Sequence, residues 1–254
     1  MQPWTKNYKN STMGIWPFKR RKKDNLAEIF AGFTDYHSHI LPGVDDGVQT
    51  MEESLAILRQ YETWGVHAVW CTPHIMEDYP NTVDALKQRF AEFQQAYRAD
   101  CADRSHNEEG VAADPVELHL AAENMMDSLF DERLEAGALL PIGNKGDHLL
   151  VETSYFNPPL DLYGILDRVR AKGFFPILAH PERYVYMDMK DYERLKAMGV
   201  KFQMNLFSQT GAYGGGARKK AQDFMDRHWY NLCGTDLHRK AMLDHKWGEL
   251  RLPY

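Results

Sequence analysis

From about residue 33 onward, two patterns of apolar and polar positions alternate along the chain. Short apolar runs of strand length lie at residues 33–37, 68–72, 116–122, 148–153, 174–179, 201–206 and 231–234. Between most of these runs, apolar residues recur every three or four positions, as they do from Met51 to Tyr61, which is typical of an amphipathic helix. Seven strands that alternate with helices predict an α/β fold with a parallel sheet.

Local signals predict where several of these helices begin and end. Thr50 followed by Glu53 forms a capping box that predicts a helix start. Glycines precede four of the following strands and predict helix C-termini: Gly65, Gly137, Gly173 and Gly199. The polar residues 100–114 are expected to form a solvated loop. The glycine run 214–216 is expected to be a flexible hinge, since it lacks the GxxxxGK[ST] pattern of a phosphate-binding loop.

Length and composition favour one domain built on a closed barrel. The chain has 254 residues, which is near the size of a single (β/α) barrel. Of these, 44% are hydrophobic and 26% are charged, a composition typical of a folded domain with a core. We predict a basic, partly mobile N-terminal extension over residues 1–32 and a single barrel domain over residues 33–254. No apolar run approaches the length that spans a bilayer, so no transmembrane helix is predicted.

The charge distribution restricts the partners of this chain. The net charge is −6 although five basic residues cluster at positions 19–23, so the rest of the chain is more acidic still. An acidic body argues against nucleic-acid binding and suits a protein that collects cations. The three scattered cysteines indicate a reducing, cytoplasmic compartment. The segment between Trp16 and Lys23 is interpreted as a solvated tail or, alternatively, as a weak contact with the inner face of an anionic membrane.

Histidine and acidic residues follow nearly every predicted strand. In chain order these residues are His37, His39, His74, Glu123, Glu152, His180, Asp236 and His238. The C-terminal ends of barrel strands converge on one face, so these side chains are expected to meet there. His37 and His39 are two residues apart on a strand and therefore point the same way. Imidazole and carboxylate groups are the ligands of Zn, Mn or Fe, so the pattern predicts a metal centre.

Seven short motifs occur around these residues in a fixed order. They are His37-Ser38-His39-Ile40, Val44-Asp45-Asp46-Gly47, Thr72-Pro73-His74, Ala122-Glu123, Val151-Glu152, Ala179-His180-Pro181-Glu182-Arg183-Tyr184 and Thr235-Asp236-Leu237-His238. The set resembles the PHP (polymerase and histidinol phosphatase) superfamily, and within it the CpsB/YwqE-like tyrosine-protein phosphatases of capsule and exopolysaccharide biosynthesis. The resemblance implies a distorted, TIM-like (β/α)₇ barrel with three divalent metal ions per chain.

The resemblance also implies a role for each of these residues. The first ion would be held by His37, His39, Glu123 and Asp236, the second by Glu123, Glu152 and His180, and the third by Asp46, His74 and His238. Asp45 stays open as an alternative to Asp46. Arg183 matches the arginine that binds the substrate phosphate, and Asp236 and His238 are both candidates for the general acid. Manganese is the expected metal, with iron, cobalt or zinc as alternatives.

Together these features predict a metal-dependent phosphomonoesterase in which a metal-bridged hydroxide attacks phosphorus. The resemblance implies that the substrate is the phosphotyrosine-bearing tail of a bacterial tyrosine autokinase. Aromatic residues expected near the mouth are Tyr79, Tyr155, Phe156, Tyr184, Tyr186, Phe207 and Tyr213. The sequence leaves the oligomeric state open.

Three other functions are compatible with parts of the sequence. The first is a phosphatase for small molecules such as histidinol phosphate, and the second is a non-catalytic, metal-binding partner of an assembly complex. The third is a cysteine phosphatase, because Cys233 and Arg239 have Cys-x₅-Arg spacing. Asp236 lies within that loop and would repel a phosphate dianion, which disfavours the third function.

Overall fold

The computed structural model describes residues 26–107, 114–143, 145–244 and 250–253. Most of the predicted extension 1–32, including the segment between Trp16 and Lys23, lies outside the described residues, so its proposed membrane contact stays a prediction. Among the residues described, no helix combines the length and the apolar character needed to cross a membrane.

Strands and helices alternate along the described chain. In order they are α1 (Leu26–Phe30), β1 (Thr34–Ser38), α2 (Met51–Trp64), β2 (Ala68–Cys71), β3 (His74–Ile75), α3 (Val83–Asn107), β4 (Glu117–Leu120), β5 (Glu123–Met125), α4 (Phe130–Glu135), β6 (His148–Glu152), α5 (Leu162–Ala171), β7 (Phe175–Ala179), α6 (Met189–Ala197), β8 (Lys201–Asn205), α7 (Gly214–Asp226) and β9 (Tyr230–Gly234). Short 3₁₀ helices cover Pro181–Arg183, Leu206–Thr210 and Lys240–Met242.

The described strand segments form seven parallel paths. β2 and β3 make one path that is interrupted at Pro73, which has no N–H to donate. β4 and β5 make another, and hydrogen bonds bridge both gaps, with Ala121 N donating to Cys71 O (2.9 Å) and Glu123 N to Pro73 O (3.1 Å). The remaining paths pair in the order β5–β6–β7–β8–β9. The predicted number of seven strands therefore corresponds to seven paths.

Contacts between the first and last strands close the ring. Asp236 N donates to His37 O (2.7 Å) and His39 N donates to Leu237 O (2.9 Å). The two strands approach so closely at Gly234 that a Cβ atom there would lie 2.6 Å from the backbone N of His37. The predicted closed, distorted (β/α)₇ barrel is thus confirmed, and glycine is required where β9 meets β1.

Two apolar clusters hold the barrel together. The larger lies between the strands and the surrounding helices and includes Val69 of β2 and Ile57 of α2. The smaller fills the barrel interior and includes Trp70, Leu150 and Ile177. Successive strand residues point to opposite faces, so β2, β6 and β7 each contribute to both clusters.

Most of the predicted helix boundaries are confirmed. Thr50 caps α2, since its hydroxyl accepts a hydrogen bond from Glu53 N. The four predicted helix-terminal glycines all have positive φ, from 66° at Gly137 to 90° at Gly173, a conformation that glycine adopts without a steric penalty.

Two local predictions were wrong. The glycine run 214–216 is not a hinge but the first turn of α7, because the buried Ala217, Ala221 and Phe224 pack that helix onto the barrel. Residues 100–107 are not a loop but the last turns of α3. Arg104 holds these turns in place, since its side chain pairs with Asp100 (2.9 Å) and with Glu62 of α2 (2.8 Å).

Candidate metal centre and phosphate site

The ends of the strands deliver all eight predicted strand-end residues to one mouth, which we call the upper end of the barrel. Two of them require an unusual backbone, since φ is +31° at His180 and +53° at Asp236. Such left-handed conformations are uncommon for residues with side chains and are concentrated at functional sites. The register of β1 against β2 also shifts between Asp35 and Ser38, and a bulge of this kind redirects a side chain such as His37.

The first group of side chains comprises His37, His39, Glu123 and Asp236, as the sequence predicted. The Nε2 atoms of His37 and His39 lie 3.1 Å apart. Each of these nitrogens lies 3.2 to 3.3 Å from Glu123 Oε2 and 3.4 Å from Asp236 Oδ1. All four side chains are at most 2% exposed. Two imidazole nitrogens and two carboxylate oxygens therefore point at a common centre.

Neighbouring residues fix both imidazoles in this orientation. His37 Nδ1 donates to Gln203 Oε1 (2.8 Å), and His39 Nδ1 donates to Asp45 Oδ2 (2.8 Å). Because each Nδ1 atom carries the proton, the lone pair of each Nε2 atom faces the common centre. Metal-binding histidines are oriented in the same way by acceptors behind them.

The second group comprises His74, Glu123 and Glu152. His74 Nδ1 lies 3.0 Å from Glu152 Oε1 and 3.3 Å from Glu123 Oε2. His180, the histidine predicted for this group, lies beside it, with Nε2 at 2.8 Å from Glu123 Oε1 and 3.8 Å from Glu152 Oε2. The two glutamates thus lie between two imidazoles.

The third group comprises Asp46, His74 and His238, as predicted, together with His39. Asp46 Oδ1 lies 3.5 Å from His74 Nε2 and 3.6 Å from His238 Nε2. Asp45 is already committed to protein donors, because it accepts from His39 Nδ1, Gly47 N and His74 N. This geometry favours Asp46 over Asp45 as the group that is available to an ion.

The electrostatics at the upper end keep the acids ionised. Burial alone would raise the pKa of Glu123 and of Asp236, but the adjacent imidazoles outweigh it and hold both pKa values well below the ordinary range. Burial lowers the pKa of His74, yet its glutamate neighbours outweigh that effect and raise the pKa to about 9. Ionised carboxylates are the form that a divalent cation requires.

Two buried histidine nitrogens without hydrogen-bond partners indicate whether metal ions fit here. His74 Nδ1 and His180 Nδ1 are among the few buried side-chain polar atoms of the described residues that lack a hydrogen-bond partner. Leaving such an atom unpaired is costly. His74 Nδ1 also faces two carboxylate oxygens, so a cation between them would satisfy all three atoms. The donor set therefore fits divalent metal ions.

A layer of polar residues behind the ligand groups was missed by the sequence analysis. Gln203 and Asn205 on β8 are both fully buried. Gln203 holds His37, and Asn205 Nδ2 donates to Asp236 Oδ2 (2.9 Å). A detectable signal was present, because Gln203 and Asn205 alternate with the apolar Phe202 and Met204 and therefore face the same interior.

Arg183 lies at the rim of the groups in a fixed orientation. Its Nη1 donates to Asp236 Oδ2 (2.6 Å). Its guanidinium is sandwiched between two aromatic rings, 4.3 Å from the ring centroid of Tyr155 and 4.1 Å from that of Tyr213. Two stacked rings and one carboxylate thus orient a planar cation whose shape matches phosphate oxygens.

The aromatic residues predicted near the mouth have different roles. Tyr155 and Tyr213 flank Arg183, Tyr79 stacks on His74, and Phe156 is exposed. Tyr184 and Phe207 are at most 2% exposed and belong to the core. Tyr186 packs beside Tyr184 and donates to Thr153 Oγ1 (3.4 Å).

The cysteine-phosphatase alternative is wrong. Cys233 is fully buried. Burial raises the pKa of its thiol well above the ordinary value, and the charges of Asp35 and Glu182 raise it further. A buried, neutral thiol cannot act as the nucleophile, since the thiolate is the reactive form.

Comparison with known proteins decides the family. The sequence profile described as capsular polysaccharide synthesis, CpsB/CapC, matches residues 33–246. The chain belongs to the CpsB/CapC family. The predicted resemblance is therefore confirmed.

Individual members of the CpsB/CapC family support this assignment. The chain is 24% identical over 207 residues to the putative tyrosine-protein phosphatase CapC of Staphylococcus aureus, covering 80% of this chain and 76% of that one. It is 26% identical over 212 residues to the tyrosine-protein phosphatase CpsB of Streptococcus pneumoniae, covering 80% and 82% respectively.

A solved structure agrees at the level of the CpsB/CapC fold. It belongs to the crystal structures of YwqE from Bacillus subtilis and CpsB from Streptococcus pneumoniae, described as unique metal-dependent tyrosine phosphatases. The superposition gives a TM-score of 0.70 at 21% identity and covers 82% of this chain and 80% of the other. The match confirms the fold that the strand pattern predicted.

Proposed function

We propose that this chain is a metal-dependent tyrosine-protein phosphatase of capsule or exopolysaccharide synthesis. The observation that carries the proposal is the convergence of five histidines and four carboxylates at one end of the barrel, directly beside an oriented arginine. The names of the relatives favour this function over a small-molecule phosphatase and over a non-catalytic binding partner.

We assign the three side-chain groups to three divalent ions, with manganese as the expected metal. Glu123 belongs to two of the groups and would bridge their ions, and Asp236, His37 and His39 would complete the first. Ions bound there would neutralise the phosphate oxygens, stabilise the leaving oxygen and lower the pKa of water toward neutrality.

Arg183 is assigned to bind the phosphate of the substrate. Its fork of N–H donors fits two phosphate oxygens, and the stacked tyrosines hold it in place before the substrate arrives. Pre-orientation lowers the entropic cost of binding, so phosphate is received by a group that does not have to be ordered first.

Asp236 and His238 both belong to the ligand groups, and a side chain that binds an ion is a poor proton donor, so we assign the general acid to neither of them. Asp236 is 2% exposed and already accepts hydrogen bonds from Arg183 and Asn205. The His238 side chain is 21% exposed, and its Nε2 faces Asp46 across 3.6 Å. A phenolate leaving group, with a pKa of about 10, needs less protonation than an alkoxide.

We propose phosphotyrosine on a protein tail, such as that of a cytoplasmic bacterial tyrosine autokinase, as the substrate. A tyrosine phosphate presented on an extended tail can reach Arg183 because the guanidinium lies at the rim rather than beneath the buried groups. The relatives named tyrosine-protein phosphatase, from a capsule-synthesis family, support this choice of substrate.

The decisive experiment combines metal analysis with a phosphatase assay on the full chain. The purified protein should contain divalent metal, hydrolyse phosphotyrosine peptides and lose activity in a chelator. Arg183→Ala should keep the metal and weaken phosphate binding. No turnover after reconstitution with Mn, Fe, Co and Zn would refute catalysis, and a strong preference for alkyl phosphates would refute the substrate assignment.

A further inference from the structure

Exposed apolar side chains are concentrated beside the mouth of the barrel. Five large hydrophobic residues of the described chain are strongly exposed, and three of them lie on the two loops that follow β6 and β7 at the upper end. Phe156 is 70% exposed, Leu160 is fully exposed, and Val185 is 66% exposed. We call these three residues the rim patch. Apolar side chains exposed as a group commonly mark a binding surface.

The rim patch is continuous with the phosphate site. Val185 N donates to the carbonyl oxygen of Tyr155 (2.9 Å), which ties the two loops together. Tyr155 is the residue whose ring covers Arg183, and Phe156 follows it directly in the chain. Val185 is two residues beyond Arg183. The rim patch therefore borders the stack that holds the guanidinium.

The chemistry of the loop after β6 differs from that of the acidic interior. Residues 154–160 read Ser-Tyr-Phe-Asn-Pro-Pro-Leu and contain no charged side chain. Two consecutive prolines restrict the backbone of this loop, so little conformational entropy is lost when a partner covers it. This uncharged, stiff segment suits the apolar side chains of a peptide better than charged ones.

We propose that the rim patch binds the apolar residues that flank the phosphotyrosine of an extended peptide. The inference rests on the proposed phosphatase function. A phosphotyrosine extends only one side chain's length from its backbone, so with its phosphate on Arg183 the neighbouring residues of the peptide must lie on the surrounding rim. Phe156, Leu160 and Val185 are the large apolar side chains exposed on the two loops beside Arg183, and they select peptides by the residues next to the phosphotyrosine.

The test compares two substrates on the metal-loaded full-length protein. One is a phosphotyrosine peptide with leucine and valine flanks, and the other is free phosphotyrosine, which has no flanks. A Phe156→Ser/Leu160→Ser double variant and a Val185→Ser variant should each raise KM for the peptide about 10-fold, since each loses one or more buried apolar contacts. Neither should change the turnover of free phosphotyrosine or the metal content.

Phe175→Ser provides the matched control. Phe175 is 52% exposed, but it begins β7 at the opposite end of the barrel. This variant removes an exposed apolar side chain from another place and should leave KM for both substrates unchanged.

Several outcomes would overturn the proposal. Equal KM values of the wild type and the rim variants for the apolar peptide would do so. Rim variants that lose binding to phosphatidylserine vesicles without a change in peptide KM would make the patch a membrane contact. A change in oligomeric state without a change in peptide KM would make it a contact between copies. A wild-type protein that hydrolyses neither substrate would instead refute the phosphatase function itself.

Discussion

The two ends of the barrel place histidines beside carboxylates, yet they shift the histidine pKa values in opposite directions. At the upper end the pKa of His74 rises to about 9, because Glu152 and Glu123 outweigh its burial. At the lower end, where the strands begin, burial lowers the pKa of His148, although Asp147 lies 2.6 Å from its Nδ1. The surroundings of a histidine, rather than its nearest partner, decide which form it takes.

The difference lies in how each end balances its charges. His148 Nε2 lies 2.6 Å from the ammonium of Lys201, so one cation and one anion flank the ring. His74 faces three carboxylates, those of Asp46, Glu123 and Glu152. The charges around His148 at the lower end therefore balance, as expected for a structural contact. The upper end surrounds one imidazole with three carboxylates, and such clusters of interacting ionisable groups are typical of functional sites.

The largest effect is expected when charge is removed from the centre of the upper end, which tests whether that end differs from the lower end in function. Glu123→Gln keeps the shape of the side chain but removes a carboxylate that faces four imidazoles. Metal content should fall, and turnover of phosphotyrosine should drop about 10³-fold, because several kcal/mol of charge stabilisation are lost. Elemental analysis and a phosphatase assay measure both effects.

A histidine at the lower end provides the control for that variant. His119 stacks on Trp70 at 4.6 Å and belongs to none of the three ligand groups. His119→Gln should retain both metal and activity. Full activity of Glu123→Gln would show that the upper end, too, is only structural.

The contact between β9 and β1 determines whether the upper end can form at all. Gly234→Ala would place a Cβ 2.5 Å from the Cβ of His37 and 2.6 Å from its backbone N, so the strands must separate. We expect the free energy of unfolding to fall by about 3 kcal/mol, as for an overpacked core. Urea denaturation of the protein measures this change.

A glycine on an outer helix gives the matched control. A Cβ at Gly215 would meet no atom within 4 Å, so Gly215→Ala in α7 should stabilise the protein by about 0.5 kcal/mol. If both alanine variants had the same stability, the close approach of β9 to β1 would not be a constraint on the fold.

The chemistry of the upper end was predictable from the sequence, because short apolar runs mark the strands and the histidines and acids follow directly after them. Strand ends converge in a parallel barrel, so His37, Glu123 and Asp236 could be brought together without coordinates. The break of the second strand at Pro73 was not anticipated, since only tertiary pairing shows that β3 continues its path.

The supporting residues were less predictable. Gln203 and Asn205 carry no ionisable group, so they are not part of the pattern of histidines and acids at the strand ends. The choice between Asp45 and Asp46 depends on loop geometry that spacing does not encode. The prediction of a hinge at residues 214–216 was wrong, because the tertiary packing of α7 outweighs the low helix propensity of glycine.

A smaller effect tests whether the stacked rings at the upper end orient Arg183. Tyr213→Leu removes one face of the sandwich, and we expect KM for phosphotyrosine to rise about 10-fold, in line with a buried cation–π contact. Tyr213→Phe keeps the ring and should stay close to wild type. Metal content should not change in either variant.

The control is a similar stack far from the site. Arg194 lies 3.6 Å from the ring centroid of Tyr163 on the helical layer. Tyr163→Leu should leave KM unchanged. If the leucine and phenylalanine variants of Tyr213 behaved alike, the ring would have no orienting role.

The smallest expected effect concerns pH at the lower end. Burial and the nearby Lys201 lower the pKa of His148 below its ordinary value of 6.5, whereas Asp147 raises it; Phe175 also packs against the ring. The unfolded chain therefore binds a proton more readily than the folded one. The stability that neutral His148 contributes is complete above pH 6.5 and is lost as the pH falls toward the folded pKa.

In His148→Gln this dependence should disappear, so the difference in Tm between wild type and variant should shrink by about 2 °C between pH 7.5 and pH 5. Lys201→Met should also weaken the dependence, because it removes the cation that opposes protonation. Thermal unfolding curves whose Tm difference stays constant across this range would show that His148 does not titrate with folding, and the contrast between the two ends would then rest on the upper end alone.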